Sequence, residues 1–96
     1  LGEDKNNIVS VKTITLNKLK NNFKLNAFDV IQVDTEGYDK IIFDQIIENK
    51  IIFKNIKLET MWLNNLDKEK IHIELIKNNF FIYDDGCNLL AYESKQ

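Results

Sequence analysis

A chain of 96 residues, 44% apolar and with a formal net charge of -2, is enough for one small domain and too short for two. Its 13 basic residues are all lysines and are scattered, which leaves no footprint for nucleic acid. No apolar run is long enough to span a membrane and no signal peptide is visible, while the single cysteine, Cys87, excludes an internal disulfide and fits a reducing, cytoplasmic setting.

Residues Leu1 to Asn7 are polar and charged, as expected of a flexible end. Ile8 to Ile14 alternates loosely and is rich in β-branched residues, which predicts a strand. Thr15 can cap a helix over Leu16 to Phe23, with Leu16, Leu19, Lys20 and Phe23 along one side. The run Asp29 to Asp34 is nearly all apolar and predicts a strand buried on both faces. From Tyr38 to Glu48 the spacing is helical. Tyr38, Ile41, Ile42, Phe43, Ile46 and Ile47 face inward, and Asp39, Lys40, Asp44 and Glu48 lie on the opposite side. Ile51-Ile52-Phe53 reads as a loop packed on the core. Ile56 to Met61 alternates strictly and predicts a strand. A helix follows from about Lys68 to Asn78, capped by Asp67 or Asn65, with Ile71, Leu75 and Ile76 inward. Phe80 to Tyr83 and Leu89 to Tyr92 flank an Asp85-Gly86 turn, a hairpin signal.

The order β-α-β-α-β-α-β-β specifies an α/β domain, its sheet mostly parallel and closed by an antiparallel hairpin. In such sheets chemistry gathers beyond the carboxyl ends of the strands. Asp34 and Glu36 stand at one such end and Glu59 near the next, and adjacent strands lie about 4.8 Å apart. Gly37 lets a ligand or backbone approach closely, and Trp62 after the third strand is placed to line a pocket or to close the core edge. The carboxylates can take a proton from an acceptor hydroxyl, hold a divalent cation or face a cationic substrate. Equally, Asp34 or Glu36 can simply cap the following helix. His72 reads as a structural residue and Cys87 as inert.

Three segments carry a resemblance. They are Val11-Lys12-Thr13-Ile14-Thr15-Leu16-Asn17, Asp29-Val30-Ile31-Gln32-Val33-Asp34-Thr35-Glu36-Gly37-Tyr38-Asp39, and Ile56-Lys57-Leu58-Glu59. In order and spacing they resemble the FkbM family of S-adenosylmethionine-dependent methyltransferases. The chain departs from that pattern at Gln32, where lysine is usual, at Asn17 for aspartate, and at Asp39 for glutamate. The resemblance implies the C-terminal half of a Rossmann-like class I methyltransferase fold. It also implies an O-methyltransferase acting on a hydroxyl of a sugar or natural-product-type small molecule, present here as a C-terminal fragment. Asp34 and Glu36 would be catalytic, with Gly37, Glu59 and Trp62 at the acceptor. The glycine-rich turn that binds the methyl donor is absent from these residues, and no metal is implied. Two rivals stand beside this reading. One is a metal-dependent enzyme using Asp34, Glu36 and Glu59. The other is a non-catalytic module in which the Asp29–Asp34 strand, lacking a neighbour, offers its edge to a second copy.

Overall fold

The computed structural model describes residues 8–12 and 27–94. The predicted helix Leu16 to Phe23 and the flexible end before Ile8 lie outside the described residues. Five strands and two helices follow in the order β1 (Ile8–Val11), β2 (Ala27–Val33), α1 (Asp39–Glu48), β3 (Ile52–Glu59), α2 (Asn65–Lys77), β4 (Phe80–Asp84) and β5 (Asn88–Glu93). The sheet order is β1-β2-β3-β5-β4. β1, β2 and β3 pair in parallel, whereas β5 runs antiparallel to both β3 and β4. Four strands therefore share a direction and β5 alone is reversed. The α/β class and the closing hairpin stand as expected.

The core lies between the helices and one face of the sheet. Ile31, Ile56, Ala91 and Ile82 are register neighbours, and Ile42, Phe43 and Ile46 of α1 with Ile71 and Leu75 of α2 join the same cluster. Fully burying each such side chain contributes about 1.5–3 kcal/mol. The other face is only partly covered among the described residues: Gln32, Leu90, Tyr92, Phe81 and Tyr83 are exposed along it. The prediction of a β2 strand buried on both faces is thus corrected. So is the expectation that β2 forms an open edge, because β1 pairs with it on one side and β3 on the other. The terminal strands of the sheet are β1 and β4.

Local chemistry explains the remaining differences. α1 ends at Asn49, whose side-chain amide donates to the Gln45 carbonyl at 2.7 Å. Lys50 then takes a left-handed conformation (φ 56). Its N–H donates to the Ile47 carbonyl and the Ile51 N–H to the Ile46 carbonyl, the bond pattern of a Schellman turn with lysine where glycine is usual. That turn drives Ile51 into the core at once, so Ile52 and Phe53 open β3 rather than forming the predicted loop. Ile41 and Tyr38, expected inward, are exposed, and so is Ile76 on α2. α2 starts three residues earlier than predicted because Asn64 caps it, accepting from the Asp67 N–H at 2.7 Å. Among the described residues no helix is long and apolar enough to cross a membrane.

Candidate functional site

β2 and β3 are adjacent and parallel, so their carboxyl ends emerge together. The Asp34 N–H donates to the Val11 carbonyl at 2.9 Å, which fixes the exit of β2 against β1. The chain then turns through two positive φ values, Glu36 at 52 and Gly37 at 115. The second is a backbone state that side chains with a Cβ rarely adopt, and it accounts for glycine there. An added Cβ would meet nothing within 4 Å, so the requirement comes from the backbone and not from crowding.

Asp39, at the first position of α1, closes this turn. Sequence periodicity placed it on the solvent side; in the structure it is 0% exposed. One carboxylate oxygen accepts from the Thr35 N–H at 3.2 Å and also from the Thr35 hydroxyl. The other accepts from the Glu59 N–H at 2.6 Å. One buried carboxylate thereby joins the exit of β2 to the last residue of β3. The amide donors it takes up are groups that would otherwise be unpaired where regular ladder pairing stops. This is the residue that sequence reading missed, and the only available signal was a threonine four positions before an acid across a glycine turn.

Neither Asp34 nor Glu36 caps α1. The capping position is Tyr38, which makes no side-chain cap bond. Glu36 and Gly37 are exposed and Asp34 is half-buried. Across from them, Glu59 holds its Oε1 out of solvent with no hydrogen-bond partner. Burial raises the Glu59 pKa above the usual carboxylate range, and the neighbouring Asp34 carboxylate raises it further, with Asp39 and Glu36 adding to the effect. Two ionised carboxylates cannot donate to each other. A proton taken up by Glu59 would supply a donor that Asp34 can accept. The two strand ends therefore bring two carboxyl groups together, and Glu59 is the one whose protonation burial and its neighbours favour. A carboxyl group raised in this way beside a second acid is suited to acid–base work.

Of the residues singled out from sequence, the structure brings Asp34, Glu36 and Glu59 to one end of the sheet, with Gly37 in the intervening turn. Trp62 does not close the core edge: it is 55% exposed, as are Met61 at 55% and Tyr38 at 54%. These three open side chains follow the exits of β2 and β3. Among the described residues no group of three His, Cys, Asp or Glu is placed to hold a metal ion, so a divalent ion clasped by Asp34, Glu36 and Glu59 finds no support.

A second polar group lies by α2. His72 Nε2 is 2.9 Å from Asp84 Oδ2. The Gly86 N–H reaches the other oxygen of Asp84 at 2.8 Å, and the fully buried Thr60 hydroxyl reaches it at 3.4 Å. Burial works against the charged form of Asp84, but the Gly86 N–H, His72 and Lys68 outweigh it and hold this acid below its ordinary range. The group ties the hairpin to α2 and to the exit of β3, and fits the structural role expected of His72. A cavity of about 370 Å³ is lined by Ile51, Phe53, Leu75 and Phe80 and rimmed by Lys50, Glu74 and Glu93. It sits at the opposite, amino end of β3, away from the acids.

Comparison of the chain with protein-family models, with curated proteins and with solved structures returns no match.

Proposed function

We propose that this chain supplies the acceptor side of an S-adenosylmethionine-dependent O-methyltransferase acting on a hydroxyl of a sugar or natural-product-type small molecule. The observation that carries the reading is the Asp34–Glu59 pair at the joined ends of two parallel strands. The closing hairpin with its reversed last strand agrees with the C-terminal half of a Rossmann-like class I methyltransferase fold.

When bound, S-adenosylmethionine would supply the methyl group, but the residues of this chain do not fit it. The three glycines, Gly2, Gly37 and Gly86, are too far apart to build a glycine-rich turn. The donor site belongs, in this reading, to other parts of a longer polypeptide. What this chain's residues do is confined to the acceptor. Asp34 accepts the proton of the acceptor hydroxyl as its oxygen becomes a nucleophile. Glu59, in its protonated form, hydrogen-bonds Asp34 and fixes which of its oxygens faces the acceptor. Asp39 keeps the two strand ends in register, and Trp62 and Tyr38 offer apolar surface against a sugar or ring. Holding the acceptor on axis supplies much of the rate in a displacement of this kind.

The test is transfer of labelled methyl to a panel of sugar and polyketide hydroxyls by the polypeptide in which this chain occurs. Asp34→Ala is expected to lower turnover by about 10²–10⁴-fold, the range of a positioned general base. Unchanged turnover in that variant removes Asp34 from the mechanism, and absence of methyl transfer over the whole panel overturns the reading. A second reading, association through a sheet edge, draws on the outer edge of β4.

A further inference from the structure

β4 is a terminal strand, and its outer edge pairs with no strand among the described residues. Which of its backbone groups point outward follows from the hairpin. The Asp85 N–H donates to the Asn88 carbonyl and the Ser94 N–H to the Asn79 carbonyl. Hydrogen-bonded pairs alternate along an antiparallel ladder. Phe81 and Tyr83, opposite Tyr92 and Leu90, therefore spend their N–H and C=O groups on β5. Phe80, Ile82 and Asp84 present theirs to the outside.

Natural edges are usually blunted by lysine, proline, a bulge or extreme shortness. β4 reads Phe-Phe-Ile-Tyr-Asp and uses none of these along its first four positions. The edge is also flanked by apolar groups on both faces. On the open face Phe81 is 54% and Tyr83 62% exposed, and on the helix face Ile73 is 59% and Ile76 63% exposed. Ile76, Phe80 and Ile82 line a groove running beside the strand.

We infer that β4 is the seam of a homodimer, in which the β4 strands of two copies pair antiparallel about a two-fold axis at Ile82 and extend the sheet across both chains. A second copy is the occupant because the strand is complementary to itself. Centred on Ile82, the pairing sets Phe80 against Asp84 of the other copy, so that all outward N–H and C=O groups from Phe80 to Asp84 meet partners. In the same register Phe81 lies directly opposite Tyr83, twice, in the closer non-hydrogen-bonded pairs. Aromatic pairs so placed attract each other across neighbouring strands. No two like charges meet along the seam. The four side chains that are more than half exposed, Ile73, Ile76, Phe81 and Tyr83, offer on the order of 400 Å² per copy, judged from the area such side chains bury. Doubled, and with the main-chain edge added, this approaches the roughly 1,200 Å² at which specific interfaces begin.

Sedimentation equilibrium of the chain from micromolar to millimolar concentration tests the inference. The weight-average mass is expected to rise from 11.3 kDa toward twice that value. The double substitution Phe81→Lys with Tyr83→Lys puts like charges directly across the seam and should weaken association at least about tenfold. Phe81→Glu with Tyr83→Lys puts opposite charges there instead, and should restore much of the loss. Both positions are exposed, so far-UV circular dichroism should match the parent. A single 11.3 kDa species throughout, or a dimer equally strong in all three proteins, overturns the inference. The charge-swapped variant keeps the register testable even where the double lysine fails to fold.

Discussion

Replacing Asp39 with alanine removes a side chain that bonds both strand ends. Three donors lose their acceptor: the Thr35 N–H, the Thr35 hydroxyl and the Glu59 N–H. The hydroxyl can rotate to another partner, but the two amides are fixed by the backbone. Each buried polar group left unpaired costs about 1–3 kcal/mol. With some relaxation toward water at the partly buried Glu59 end, the expected loss is about 3–4 kcal/mol, against a total of about 5–15 kcal/mol for a domain. In a chain of this size that corresponds to a fall in Tm of at least about 12 °C. Asp39→Asn separates the contributions. Its oxygen can still accept from Thr35, while its amide faces the Glu59 N–H, donor against donor, so roughly half the loss is expected. Urea unfolding followed by far-UV circular dichroism gives the totals, and amide hydrogen exchange should show faster exchange at Glu59 in both variants but at Thr35 mainly in the alanine. A loss below about 1 kcal/mol for Asp39→Ala, the low end for even a single unpaired amide, would refute the clamp.

Glu59 has a raised pKa in the fold, so its contribution to stability is fully present below the unfolded value of 4.5 and is lost as pH rises through the folded value. Glu59→Gln, always neutral and able to donate to Asp34, should therefore match the parent in acid and exceed it increasingly above pH 4.5; thermal melts across pH check this, and a gap that does not widen with pH counts against the proton-sharing pair. Asp84 has the opposite sign: its pKa is lowered, so its contribution is present above 3.8 and is lost as pH falls through the depressed folded value. Asp84→Asn should be less stable than the parent at neutral pH, with the difference closing in acid. Gly37→Ala should cost about 1–2 kcal/mol through backbone strain alone, since an added Cβ has room, and a crowding-sized penalty in chemical denaturation would contradict that account.

Much of the fold was legible because periodicity reports which face is covered. Strict alternation from Ile56 onward, the Asp-Gly hairpin and the apolar β2 run each specify one element. Boundaries were less legible where a cap used an unusual residue. Lys50 adopts the left-handed state without being glycine, and its Schellman turn converts an apolar triplet into the start of β3. Helical spacing also misjudged Ile41 and Ile76, which are exposed. Among the described residues two short helices cover the sheet, and not every apolar position on them finds interior.

The site was half legible, for a reason rooted in what a carboxylate can do. Asp34, Glu36, Asp39 and Glu59 are four acids at one strand-end, and composition alone treats them alike. Their surroundings separate them. Asp39 is saturated by donors and wholly buried, so its charge is spent on structure and is not available to a ligand. Glu36 is exposed on a strained turn, free to reach but without a fixed direction. Glu59 and Asp34 face each other where donors are short, and burial together with the Asp34 charge raises the Glu59 pKa. That pair alone among the four combines partial burial with a neighbouring acid, which is why the proposed base is placed there. Asp39, which periodicity placed on the solvent side, bonds the exits of both strands, and the proposed chemistry falls to the two acids those strand ends carry.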